Sequence, residues 1–180
     1  MANPFVGYDN FFPLLAPQDI ASTATVSPWM DLRGAQKAAF LIQFGSVGSA
    51  SATDEFVITV ASATVETGTQ TAIDFRYRIS AAVGTNTWGA VTTVAAATGL
   101  GIGADDSDNM TVFIEVDPDA IASTGRYVHV VLTDNDDMTE CLVSIMGICE
   151  SRYKQTTHLS ASAAASAYSI YEQLRRSNRQ

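Results

Sequence analysis

Between residues 25 and 150 the apolar and polar positions alternate with a period of two. The clearest stretch is Thr71–Ser80, where Ile73, Phe75, Tyr77 and Ile79 alternate with Asp74, Arg76 and Arg78. Successive side chains of a strand point to opposite faces, so this pattern predicts a half-buried strand with one wet face. Phe56, Ile58 and Val60 repeat it within Asp54–Ser62, and Met110, Val112, Ile114 and Val116 repeat it within Asn109–Asp117. Lys37–Phe44, Arg126–Thr133 and Glu140–Cys149 are apolar at both parities, which predicts central or interface strands. Shorter strands at Val26–Leu32 and Thr87–Val94 bring the expected number to about eight. Turn-forming residues separate them, as in Gly45-Ser46-Val47-Gly48-Ser49, Thr67-Gly68-Thr69, Val83-Gly84-Thr85-Asn86 and Asp117-Pro118-Asp119. Many short strands with no helical period between them predict an all-β, antiparallel β-sandwich, jelly-roll-like or immunoglobulin-like. Phe40, Ile42, Phe56, Ile58, Phe75, Tyr77, Val112 and Ile114 are then expected to face inward.

The two ends break this pattern, giving an expected division into an extended N-terminal arm (1–20), a β-sandwich (21–153) and a linker with a C-terminal helical tail (154–180). The arm carries Phe5, Tyr8, Phe11, Phe12, Leu14 and Leu15 among Pro4, Pro13 and Pro17. The prolines forbid a continuous helix or central strand, so the arm needs a surface to lie against, in its own domain or on a neighbour. In the tail, Ala163, Ala167, Ile170, Tyr171 and Leu174 fall on one helical face, which predicts a helix over roughly 160–176. Arg175, Arg176 and Arg179 close it on the side the helix dipole favours. An Ala face is weak alone, so Ile170, Tyr171, Leu174, Arg175 and Arg176 join the arm residues as candidate interaction positions.

Charge sharpens that division. The net charge is −9. Residues 151–180 hold Arg152, Lys154, Arg175, Arg176 and Arg179 against Glu172, whereas the basic residues before them are only Arg33, Lys37, Arg76, Arg78 and Arg126. An acidic body with a basic tail predicts docking of that tail on an acidic surface, and argues against a nucleic-acid partner. Charged residues make up 16% and apolar ones 47%, a composition suited to wide contacts. No apolar stretch approaches membrane-spanning length, and Met1–Phe5 lacks the basic and apolar regions of an export signal. Cys141 and Cys149 lie in one run. On a single strand they stand roughly 26 Å apart, far beyond disulfide reach, so buried free thiols and a reducing compartment are expected.

Candidate chemistry is sparse. Gly99-Leu100-Gly101-Ile102-Gly103 matches neither the dinucleotide nor the P-loop spacing and reads as a flexible loop. Asp105, Asp106 and Asp108, and Asp134, Asp136 and Asp137, read as solvated turns, with a structural calcium as the sharper alternative, although the EF-hand spacing fails. His129 sits on the strand face opposite Val128, Val130 and Leu132, and neither it nor His158 has a zinc-spaced companion. Trp88, at a strand start after a turn, reads as a rim aromatic or as a surface for stacking a sugar or another protein. No cofactor, metal site or catalytic constellation is expected, and the chain is not read as an enzyme.

The order Ser27-Pro28-Trp29-Met30-Asp31-Leu32, Ala38–Gly45, Asp54–Ile58, Ala72–Arg78, Met110–Val116 and Gly125–Val130 resembles the small virion structural proteins of tailed bacteriophages, particularly capsid decoration (cement) proteins. The resemblance spans roughly residues 20–153. It implies a β-rich domain that binds the outside of an assembled capsid, with the major capsid protein as partner. It further implies a homo-oligomer, a trimer being favoured, assembled in the host cytoplasm without a membrane or nucleic-acid partner. A neck, tail or head-fibre component and a carbohydrate-binding adhesin module are the alternative expectations.

Overall fold

The computed structural model describes residues 11–21, 24–49, 55–81, 85–103, 108–121, 125–134 and 138–151. Among the described residues there is no helix, and the strands are β1 (Phe11–Asp19), β2 (Thr25–Val26), β3 (Met30–Asp31), β4 (Ala35–Ser49), β5 (Glu55–Ala63), β6 (Thr71–Ile73), β7 (Phe75–Ile79), β8 (Thr92–Val94), β9 (Leu100–Gly103), β10 (Thr111–Val116), β11 (Tyr127–Asp134) and β12 (Met138–Ser151). Every pairing is antiparallel. The first sheet runs β1-β12-β4-β10-β7-β8. In the second, β11 and β5 are central; β2 and β3 share one side of β11, and β6 and β9 share the far side of β5. The expected tail helix, with Ile170, Tyr171, Leu174, Arg175 and Arg176, lies outside the described residues, as do Phe5 and Tyr8.

One hydrophobic cluster takes side chains from both sheets: Phe40, Ile42, Val112, Ile114 and Ile145 from the first, and Phe56, Ile58, Val60, Val128, Val130 and Leu132 from the second. Each of these is buried, as the period of two requires. Phe75 is buried with them, while Tyr77 is only half-buried at the cluster's margin.

β4 and β12 are the long pair at the centre of the first sheet. β4 bulges between Phe44 and Val47: Phe44 pairs with Val143 and Val47 with Cys141, so Gly45 and Ser46 face Leu142 alone. The bulge turns backbone groups out of the ladder, and neighbours take them up. The Asp108 carboxylate accepts from the Val47 N–H at 2.8 Å, and the Gly45 carbonyl accepts from the Asn109 N–H at 2.8 Å.

Twelve strands stand among the described residues where about eight were expected, because two expected strands are each broken into short pieces and two further segments, β1 and β9, form strands. Of Thr87–Val94 only β8 (Thr92–Val94) forms. Four further sequence expectations change. First, Thr71–Ser80 is two strands: β6 belongs to the second sheet and β7 to the first, with Asp74 at the crossing and its carboxylate accepting the Ala96 N–H at 2.7 Å. The alternation survives the crossing because Ile73 and Phe75 both enter the shared cluster. Second, Val26–Leu32 breaks into β2 and β3 around Pro28, which has no N–H to give the ladder. Ser27 spans the break: its N–H donates to the Val130 carbonyl at 2.9 Å, and its hydroxyl accepts the Val130 N–H at 3.0 Å. Third, the glycine-rich stretch is strand β9, in which Leu100 and Ile102 are buried and Gly101 and Gly103 face out. A Cβ at Gly101 would collide with the Glu55 carboxylate.

The fourth concerns the arm. Residues 11–19 are strand β1 at the edge of the first sheet, where a partner on one side only lets Pro13 and Pro17 go without donors. Phe12 stands in the row Phe12–Gly147–Phe40–Ile114–Tyr77 that crosses the inner side of this sheet. Phe12 and Leu14 are 5% and 4% exposed. Leu14 fits because position 147 is glycine: a Cβ there would stand 2.8 Å from Leu14 Cδ1 and 3.3 Å from Met30 Sδ.

Candidate functional site

Three of the six large apolar side chains exposed among the described residues, Phe11, Leu142 and Met146, share the outer side of the first sheet. Register places Pro13, Met146, Leu41, Phe113 and Arg78 in one row across five strands. The next row is Phe11, Ile148, Ala39, Glu115 and Arg76. Phe11, Leu142 and Met146 are 37%, 40% and 39% exposed, and Leu41, Phe113 and Ile148 are half-covered. The Arg76–Glu115 pair at 2.8 Å closes the β7 end of the strip. Of the predicted interaction residues, Phe11 therefore belongs to this outer strip, Phe12 and Leu14 are core, and Leu15 is half-buried against the core.

Beside the strip a polar row, Ser144–Gln43–Thr111, floors an open depression of about 580 Å³. Leu142 and Pro17 wall one side and Trp88 the other. Trp88 is half-buried, bridged to Ser80 at the C-terminal end of β7. Arg78 lies over its ring, with the guanidinium carbon 6.0 Å from the centroid, and Arg78 Nε donates to the Gly89 carbonyl at 3.1 Å.

Most other chemistry-bearing side chains are used within the fold. Arg126 grips Asp31 with Nε at 2.7 Å and a terminal nitrogen on the second oxygen, and Arg33 adds its N–H at 2.9 Å and its guanidinium at 3.8 Å. Burial pushes the Asp31 carboxyl up, but these cationic and N–H partners outweigh it and hold it below the usual range. His129 is 1% exposed on the outer side of the second sheet, stacked under Trp29. Neither ring nitrogen reaches a partner at hydrogen-bonding geometry. Burial lowers its pKa, and the Ser27 backbone offsets only part of that.

Cys141 and Cys149 are free and buried, as the spacing predicts. Burial pushes both thiols up to about 12, with the charges of Asp19 and Asp134 adding at Cys141 and that of Asp31 at Cys149. Among the described residues no three His, Cys, Asp or Glu side chains gather as a metal would need, and Asp108 serves the bulge. Asp105, Asp106, Asp136, Asp137 and His158 lie outside those residues.

Sequence reasoning missed the Asp31–Arg126 and Trp29–His129 partnerships. Their members stand about a hundred positions apart, so no local spacing marks them; only the juxtaposition of β3 with β11 does. Comparison with protein-family models, with curated proteins and with solved structures finds no match.

Proposed function

We propose that this chain is a virion structural protein that binds the outer surface of an assembled phage capsid and stabilises it, its two sheets forming the layers of a sandwich. The shared cluster of Phe40, Ile114, Phe56 and Val130 supports the layered arrangement. The observation that carries the functional reading is the apolar strip of Phe11, Met146, Leu41 and Phe113 on the outside of the first sheet. Contiguous apolar surface of this kind marks a contact face, and a protein present in many copies gains strong attachment from modest individual contacts. The resemblance to decoration proteins in strand order supplies the partner, the major capsid protein, and a homo-oligomeric state.

Co-sedimentation of the purified protein with undecorated capsids tests this reading. Binding is expected, and Met146→Lys should abolish it without unfolding the protein. No co-sedimentation of the wild-type chain overturns it. Antibody labelling of intact particles separates a shell position from one in the neck or tail.

A further inference from the structure

We propose that the depression beside Trp88 binds an acidic saccharide, with the indole as stacking surface and Arg78 as the group that takes the sugar's carboxylate. A pyranose presents an apolar C–H face and a rim of hydroxyls. The depression offers the complement: a half-exposed indole at one wall, and hydroxyl and amide groups from Ser144, Gln43 and Thr111 along the floor. Its volume of about 580 Å³ falls within the usual range of small-molecule sites. Gly45 lines the same depression, and a Cβ there would press on Leu142 Cβ at 3.1 Å, so glycine lets the Leu142 wall stand close.

Arg78 selects the acidic class. Arg33, Lys37, Arg76 and Arg126 each have a carboxylate within 3.8 Å. Arg78, alone among the basic side chains of the described residues, has none. In a chain of net charge −9, an arginine kept clear of carboxylates is held back from the commonest partner available to it. Arg78 stands outside the lining of the depression, over the Trp88 ring at its wall, and with its Nε on the Gly89 carbonyl the terminal nitrogens are the groups left for a ligand that reaches past the ring. A guanidinium prefers a planar carboxylate and takes it with two parallel hydrogen bonds. A neutral sugar would use the indole and the floor but leave that group idle. The proposal does not rest on capsid binding, and failure of either leaves the other standing.

The test begins with the full chain on an array of neutral oligosaccharides and of oligosaccharides bearing uronic or sialic acids. Calorimetry then follows the best acidic hit and its neutral counterpart. Acidic glycans should bind at least about tenfold more tightly than their neutral analogues. Trp88→Ala should abolish binding of both, and Arg78→Gln should bring the acidic ligand down to the neutral level. Raising the salt should weaken only the acidic ligand. Unchanged thermal unfolding of the variants shows that the fold is intact, and Gln43→Ala, a substitution in the floor, should weaken both ligands. No acidic hit, equal binding of acidic and neutral glycans, or full affinity in Trp88→Ala overturns the proposal.

Discussion

Trp29 lies flat against His129, the ring centroids 3.7 Å apart and the planes 10° apart, and it roofs an imidazole that the second sheet has already buried. Burial in this place disfavours the charged His129 ring, which would lose its water, and the Ser27 backbone offsets only part of that loss. Its folded pKa lies below the unfolded value of about 6.5. Above that value the group leaves stability untouched. As pH falls from about 6.5 toward the folded pKa, the unfolded chain binds a proton that the native state refuses, and stability is lost. His129→Phe preserves the stack and removes the proton site. The melting temperature of the wild-type chain should fall further between pH 7.5 and 5.5 than that of the variant, and parallel curves would remove this assignment.

The Asp31–Arg126 fork has the opposite dependence. Asp31 is held below its ordinary pKa of 3.8, so its contribution is present above that value and fades as pH drops through the folded pKa. Arg126→Met removes the fork from a largely buried carboxylate and should cost about 2–3 kcal/mol at pH 7. The gap between variant and wild type should close in acid, once the carboxyl is protonated in both. Urea titrations at pH 7 and pH 3 measure it, and a gap independent of pH would mean that the arginine acts through packing.

Leu14 and Gly147 form a coupled pair. Leu14→Ala should cost about 2–4 kcal/mol, as for a buried leucine whose site cannot fully collapse. Gly147→Ala should cost about 1–2 kcal/mol, because the new methyl group meets Leu14 Cδ1 at 2.8 Å. In the double variant the methyl occupies space that Leu14 vacated, so the combined loss should be smaller than the two separate losses added together. A double-mutant cycle in urea decides it; strict additivity would show that β1 does not pack on β12 as described.

Cys141 and Cys149, both wholly buried with thiols near 12, should be silent to Ellman's reagent at pH 8 in the native protein and react fully after denaturation. Fast reaction of either thiol in the folded chain would place that end of β12 at the surface.

The period of two was enough to read β5 and β10 and to choose Phe40, Ile42, Phe56 and Ile114 as core, because alternation reports burial directly, while β11 was read from an apolar run at both parities. It could not report which sheet a strand joins, so Ile73 and Phe75 read as one strand although Asp74 divides them between two sheets. It also mistook β9 for a loop: glycine carries no hydrophobicity, and Leu100 and Ile102 are too few to show a period. β1 was hidden by Pro13 and Pro17, which exclude a central strand and are admissible at an edge. The depression was legible only as Trp88; Gln43, Thr111 and Ser144 join it through strand register, which no single segment encodes.

Among the described residues the margins of both sheets share a construction that disfavours pairing edge to edge. The first sheet ends in β8, three residues long, and in β1, interrupted by prolines and register shifts. The second is bordered by the short pieces β2, β3, β6 and β9, none longer than four residues. A foreign strand needs an unbroken row of donors and acceptors to zip onto, and none of these margins supplies one. Among the described residues, runaway backbone pairing between crowded molecules has no long, regular edge to start from. Contact between copies, where it occurred, would fall to side chains on the broad faces, where it can be specific, saturable and reversible.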